Sequence, residues 1–421
     1  MIKRPDEIVE IIKKIDDAGY DVCYAGQCIV SALMGDTPLD WDMYTDCPQG
    51  KIREMFPDGE VLGKRMTRLD QSTFVKSDDL NVADHYDGVV VDIVTLEGSL
   101  EDQLGLYDFT CEATAERKNG SAVDPYKGRE DIRKRLLKPV GDIGAKMKKN
   151  PALIFKALRY VGLYGFDLSK ELFETIRINA DRAQFTDKEE ILYEFTLAIS
   201  GSHAGKFLKM LKGMNLLEVV VGPDGISNNP REKKDYDGLC EGIDRTKRIP
   251  TRRLGLFYLV FDRKFEKALN HLPHDEETLM YLDDAKHVCP KLYFCGNEEK
   301  LKDFIYKVGW DKYNYVDKLL KAQSIAHGLE TIRHEGRDAV LKKILQENQA
   351  IFEEDLRIDA DDIIEAGITD DHERAQYLLS LLPAVIHRDP YKNDRDKLLK
   401  YARSFNKSKF RAALRDITWL R

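Results

Sequence analysis

The chain has 421 residues, 43% of them hydrophobic and 33% charged, and a formal net charge of -8. That is enough apolar content for two or more cores, and the mild acidity excludes whole-surface attraction to nucleic acid while leaving room for a local basic face. Seven cysteines, an odd number scattered from Cys23 to Cys295, exclude an ordinary disulfide framework and read as a reducing, cytoplasmic setting.

The N-terminal "MIKRPDEIVEIIKK" carries acids inside a helical pattern, unlike a signal peptide. Ile8, Ile11, Ile12 and Ile15 recur at helical spacing until Gly19 closes the run. "DVCYAG" (21–26) predicts a short strand entering a glycine turn, and a helix follows through about Leu33. "PLDWDMYT" (38–45) predicts a second strand, and "GVVVDIVTLEG" (88–98) is the strongest strand signal in the chain. The first ~145 residues therefore read as α+β, and from "NPALIFKALRYVGLYGF" (150–166) onward the pattern is almost wholly helical. "GPDGISNNPREKKD" (222–235) is the clearest interruption, a candidate joint or exposed loop. No apolar run approaches the ~20 residues of a membrane span.

Residues i and i+2 of a strand share a face, so Asp40 and Asp42 form a pair of adjacent carboxylates. They repel each other, and burial raises at least one pKa unless a cation stands between them. Asp92 is a lone acid in the valine-rich strand. With the other two it could hold a pair of Mg²⁺ ions ~3.5–4 Å apart, the arrangement that activates an attacking hydroxyl and steadies a leaving pyrophosphate. The competing reading makes Asp40 and Asp42 a wet strand end and Asp92 an edge charge. Gly26, at the strand–helix turn, would let backbone N–H groups approach a phosphate, although an ordinary turn also uses glycine there.

Taken together these segments resemble the bacterial tRNA nucleotidyltransferase and poly(A) polymerase family. "YAGQCIVSALMG" (24–35) followed by "PLDWDMYT" is similar to the family's glycine motif and metal-binding Asp-x-Asp, and "VVVDIVTLEG" occupies the place of the third carboxylate. "LGLYDFTCEATAE" (104–116) resembles the Asp-Phe-Thr-x-Asn-Ala segment, and "VDPYKGREDIRKRLLKPVGD" (123–142) the end of the head. "NPALIFKALRYVGLYGF" resembles the first neck helix; "LRIDADDIIEAGITD" (356–370) and "YLLSLLPAVIHRDPYKND" (377–394) resemble the RNA-gripping tail.

The resemblance implies a polymerase-beta-like nucleotidyltransferase head (1–145), then a helical neck (146–221), body (222–310) and tail (311–421). It also implies template-independent transfer of NMP from an NTP to the 3′ hydroxyl of tRNA or a tRNA-like RNA. Asp40, Asp42 and Asp92 would hold Mg²⁺, and Gly26, Gln27, Asp108, Asn150, Lys156 and Arg159 would meet the nucleotide, ATP included. Departures accompany the matches. The glycine pair is Gly26-Gln27, the following Arg-Asp is Val30-Ser31, and an arginine pair is Leu106-Tyr107. Glu112 replaces an asparagine, and the base-reading Glu-Asp-x-x-Arg set falls on Lys149, Asn150 and Leu153. A base reader without its paired donors and acceptors loses discrimination, so altered nucleotide selection is expected.

The last 34 residues contain 11 Lys+Arg against 4 Asp, a concentrated basic segment with Tyr391, Tyr401, Phe405 and Phe410 interleaved. Lys392, Lys397, Lys400, Arg403, Lys407, Lys409 and Arg411 are its candidate phosphate contacts, with aromatics for stacking on unpaired nucleotides. Two other functions compete. An RNA-binding protein that keeps the fold without catalysis fits the lost motif residues. "HLPHD" (271–275) superficially suggests a metal phosphohydrolase, but its further ligands have no clear place in the chain. Cys289 and Cys295 likewise lack a partner pair for zinc.

Overall fold

Four isoleucines decide how the chain begins. Ile8, Ile11, Ile12 and Ile15 are all buried on one face of α1 (Asp6–Asp17), which that face seats against a sheet. The computed structural model describes residues 2–38, 40–71, 73–75, 85–225, 229–329 and 332–407. It divides into two units, Met1–His274 and Asp275–Arg421.

In the first unit α1 is followed by β1 (Val22–Ala25), α2 (Gln27–Met34), β2 (Asp40–Thr45), α3 (Gln49–Met55), β3 (Glu60–Leu62) and β4 (Met66–Asp70). The short pair β5 (Thr73–Val75) and β6 (His85–Asp87) precedes β7 (Val90–Thr95), α4 (Leu100–Leu104), β8 (Ala115–Arg117), β9 (Ala122–Val123) and α5 (Gly128–Lys134). Seven strands form one sheet in the order β3-β4-β7-β2-β1-β8-β9; β2 and β7 run parallel and the other pairs antiparallel.

Strand alternation sorts the side chains. Trp41 and Met43 of β2 and Val91 and Ile93 of β7 stand abreast and are fully buried in the core that α1 covers. The residues between them necessarily face the other way, which is where Asp40, Asp42 and Asp92 lie. Trp41 also donates its indole N–H to the Pro38 carbonyl (3.2 Å). Truncating it to alanine would cost about 3–5 kcal/mol by the usual scale for a buried aromatic.

After β10 (Leu136–Leu137) and α6 (Ile143–Lys149) comes α7 (Leu153–Tyr164), with β11 (Asp167–Leu168), α8 (Lys170–Asn179), α9 (Lys188–Ile199) and α10 (Ala204–Gly213) beyond it. Helix α7 packs on α9 so closely that a Cβ at Gly162 would sit 2.4 Å from the Ala198 carbonyl oxygen. Glycine is required there by contact, not by backbone angle. The unit continues through α11 (Leu217–Val221), α12 (Pro230–Gly242), α13 (Pro250–Leu259) and α14 (Phe265–Leu269). The stretch 222–235, expected as a joint or loop, already contains the start of α12. Asn229 accepts from the Arg231 amide (2.9 Å), and Pro230 occupies the first turn, where its missing N–H costs nothing.

The second unit is built of α15 (Glu276–His287), α16 (Cys289–Leu292), α17 (Glu298–Val308), α18 (Trp310–His327) and α19 (Ile332–Gln346), then α20 (Ala360–Glu365), α21 (His372–Ser380), α22 (Pro383–Arg388) and α23 (Arg395–Lys407). Leu398, Leu399, Ala402 and Phe405 put one face of α23 into a core shared with Ile363, Leu378, Leu382 and Ile386. A mixed-sheet head followed by a long helical region is the architecture expected from the sequence. All seven cysteines are buried and unbridged. Among the described residues no helix is long and apolar enough to cross a membrane.

Candidate active site

Register assembles the carboxylates. Asp42 of β2 stands directly abreast of Asp92 on β7, and Asp40 lies two residues earlier on the same face. Asp40 is exposed, Asp42 half-buried and Asp92 buried. Burial, and next the negative charges of Asp40 and Asp92, push the Asp42 carboxyl up to about 7. Asp40 is raised too, by partial desolvation of its carboxyl against the sheet and then by Asp92, with Arg68 opposing.

Gly26 closes the other side of this acidic face. Its φ of +81° lies in the region that favours glycine, and a Cβ there would meet Asp42 Oδ2 at 2.7 Å and the Tyr107 hydroxyl at 2.8 Å. Tyr107 donates to Asp42 Oδ2 (3.3 Å) and shares a hydrogen bond with the Tyr44 hydroxyl (2.9 Å). Helix α2 starts immediately after Gly26, so the positive end of its dipole is beside these acids.

Asp92 has a different neighbour. Arg68 of β4 is abreast of it in the antiparallel register, on the same face, and grips it with both prongs: Nε to Oδ1 at 2.8 Å and Nη2 to Oδ2 at 2.7 Å. Among the described residues no three acidic, histidine or cysteine side chains stand as a ready metal cage. The donor chemistry still suits a hard cation at Asp40 and Asp42, whose mutual repulsion such an ion would relieve. Both oxygens of Asp92, as it stands, are taken by Arg68.

Of the expected nucleotide-binding residues, Gln27, Asp108 and Lys156 fall in a second, internally paired cluster. Lys156 of α7 donates to Asp108 Oδ2 (2.9 Å) and Glu112 Oε2 (3.0 Å). Burial pulls the lysine's pKa down, but Glu112 and Asp108 outweigh it and leave the pKa above its ordinary value. Tyr160 donates to Glu112 Oε1 (2.7 Å) and lies against Gln27 Oε1, tying α7 to the first turn of α2. Arg159 points elsewhere, bonding Glu194 Oε1 (3.2 Å) and stacking on Tyr160. Asn150 spends its side-chain oxygen on the Ala152 amide (3.1 Å), and Leu153 is buried.

In the second unit Lys397 and Lys400 are exposed on α23; Arg403, also exposed, donates to the Ala366 carbonyl (3.2 Å). Lys397 reaches the Tyr391 carbonyl (3.1 Å), and Lys392 lies over the Tyr401 ring and near Asp389 (3.7 Å). Lys407 ends α23, whereas Lys409, Phe410 and Arg411 lie outside the described residues. Of the interleaved aromatics, Tyr391 is 87% exposed, but Phe405 turns into the core. Of the "HLPHD" histidines, His274 is buried and bonds the Tyr258 hydroxyl (2.8 Å), a core role.

Sequence reading missed Arg68. An arginine alternating with Thr67 and Leu69 signals a strand, but which carboxylate it faces depends on the β4–β7 register.

The chain is 27% identical over 221 residues to a CCA-adding enzyme of Geobacillus thermodenitrificans, covering 50% of this chain and 54% of the relative. It is 26% identical over 236 residues to that of Staphylococcus aureus, covering 54% and 59%. Its fold resembles the Bacillus stearothermophilus CCA-adding enzyme in complex with CTP, with a TM-score of 0.72 at 18% identity over 98% of this chain and 100% of that one. The sequence, over about half of the chain, and the fold are both similar to those of CCA-adding enzymes. The aligned stretch spans about half the length of the curated relatives it matches. The Thermotoga maritima CCA-adding enzyme complexed with tRNA shares the fold at a TM-score of 0.59, 15% identity and 96% coverage of both chains. No protein-family model matches the chain.

Proposed function

We propose that the protein is a template-independent RNA nucleotidyltransferase that moves NMP from an NTP to the 3′ hydroxyl of tRNA or a tRNA-like RNA. The observation that carries this is the Asp42 carboxyl, pushed up to about 7 between Asp40 and Asp92 and beside the Gly26 turn. A fold invests in such repulsion where a cation or a proton is to be handled. Asp40 and Asp42 would hold Mg²⁺, which when bound lowers the pKa of an attacking hydroxyl and steadies the triphosphate. Gly26 keeps the approach to Asp42 open, and the α2 N-terminus offers backbone N–H groups to phosphate. Tyr107 orients Asp42 through its hydrogen bond. The CCA-adding enzymes it resembles, one of them in complex with CTP and another complexed with tRNA, support the same substrates here.

Nucleotide choice should depart from ordered C, C, A addition. Leu153 offers no polar atom, Asn150 is partly engaged in its own helix cap, and Lys156 and Arg159 are both ion-paired internally. The same pairing, with Arg68 on Asp92, favours the second reading, a non-catalytic RNA-binding protein on this fold.

One experiment separates the two. Purified protein with Mg²⁺ is given each radiolabelled NTP in turn, with tRNAs ending before, within or after CCA. Incorporation with weak discrimination between CTP and ATP supports the proposal. Tight RNA binding without incorporation of any NTP rejects it for the second reading, and ordered C, C, A addition rejects the altered selection.

A further inference from the structure

Three carboxylates share one face of the sheet, yet among the described residues only Asp92 has partners on both oxygens. Its partner Arg68 is set opposite by strand register, so the fork is part of the sheet's construction and not a chance approach of a long side chain. The pair is asymmetric: the Asp92 side chain is 10% exposed and that of Arg68 41%. The acid is thus fixed while the guanidinium has a route to solvent. A bidentate arginine covers the same lone pairs that a divalent ion needs.

We infer that Arg68 is a built-in counter-ion that closes Asp92 to metal, so that the resting protein takes a first divalent ion at Asp40 and Asp42 and a second only when Arg68 swings away. This rests on the proposed metal-dependent transfer and adds a gate within that site. The chemistry is a competition for one carboxylate. Guanidinium and metal ion cannot both hold the two Asp92 oxygens, so whatever removes Arg68 strengthens the second site. An incoming triphosphate is the natural agent: its negative charge offers the freed guanidinium a new partner. Metal loading is thereby coupled to nucleotide arrival, and without nucleotide the acid stays neutralised from within.

The test uses the full chain, free of nucleotide and RNA, titrated with Mn²⁺ as an oxygen-seeking probe and read by electron paramagnetic resonance and calorimetry. Wild type should bind one ion tightly and a second weakly. Arg68→Met keeps the apolar stem but removes the fork, and should tighten the second ion by about 10–100-fold, the scale on which groups bonded to metal ligands tune affinity. Arg68→Lys, with charge but no fork, should fall between. Mn²⁺ should also raise the melting temperature of Arg68→Met more than that of wild type, because it supplies Asp92 with the partner it has lost. An Arg68→Met isotherm within about twofold of wild type, or no Mn²⁺ binding by folded wild type and variant alike, overturns the gate. Failure of the enzymatic reading looks different: Mn²⁺ isotherms shift as described while no NTP is incorporated.

Discussion

Asp108 and Glu112 receive the Lys156 ammonium between them, at 2.9 and 3.0 Å. On the same unit the neighbours that act most on Asp42, after burial itself, are two further carboxylates, Asp40 and Asp92. Both clusters combine burial with acid, yet one is neutralised by its own helix and the other depends on something arriving from outside. The difference lies in where the cation is covalently attached. Lys156 is delivered by α7, which packs closely on α9 at Gly162 and Ala198, so its charge comes with the fold. Arg68 forks onto only one of the three sheet acids, the buried Asp92. On the function proposed above, the first cluster is architecture and the second is where chemistry would occur.

The harshest test of that contrast is to remove one acid from the open cluster. Asp42→Asn and Asp40→Asn should each lower NMP incorporation on the order of 10³-fold or more, while RNA binding stays within about twofold. Substantial incorporation by either variant in a primer-extension assay would show that the open cluster is not the reactive one.

The closed cluster should respond in stability. Lys156→Met leaves Glu112, only 3% exposed, without its cation, and should cost about 3 kcal/mol by urea denaturation. That is the low end for a broken buried pair, because Lys156 itself is 24% exposed. Adding Glu112→Gln should recover much of the loss. If Lys156→Met is neutral, the lysine is not what holds α7 to the Asp108–Glu112 segment.

The open cluster was legible in the sequence because period-two alternation and β-branched neighbours mark a strand face without knowledge of the fold. Alternation put Asp40 and Asp42 on one face and marked Asp92 as a lone acid in a strand, but that Asp92 stands abreast of Asp42 depends on the β2–β7 register. The closed cluster was half legible: Glu112 stood out as a departure and Lys156 as a candidate nucleotide contact, but their pairing spans 44 residues and depends on how α7 packs. Arg68 was invisible as a partner because register between β4 and β7 is a tertiary fact. In the tail, positive charge could be counted, but which face of α23 it occupies could not be weighed against the apolar positions that bury Leu398 and Phe405.

A pH series probes the same comparison more gently. Asp42 titrates near 7 in the folded chain against ~3.9 in an unfolded one, so between about 4 and 7 the native state holds the extra proton. Stability without metal should therefore fall as pH rises through that window, with the penalty complete above 7. Asp42→Asn should flatten the slope, and saturating Mg²⁺ should offset it above pH 7. A wild-type profile over pH 4–8 that matches Asp42→Asn would mean that Asp42 is already compensated.

The smallest expected effect lies in the second unit, on the outer face of α23. Deleting residues 388–421 would confound RNA contact with folding, because Leu398, Leu399, Ala402 and Phe405 would leave the core with the charges. Neutralising Lys397 and Lys400 to glutamine keeps that apolar face. Both side chains are exposed, and helix propensity changes little between lysine and glutamine. If both meet phosphate, tRNA affinity should drop severalfold at low salt. The slope of log affinity against log salt should shrink by about 0.7–0.9 for each phosphate no longer neutralised. The carboxylates of the first unit are untouched, so incorporation at saturating RNA should hold while the RNA concentration needed for half-maximal rate rises. An unchanged salt slope would remove these two lysines from the RNA interface and leave the exposed charge of α23 as ordinary solvation.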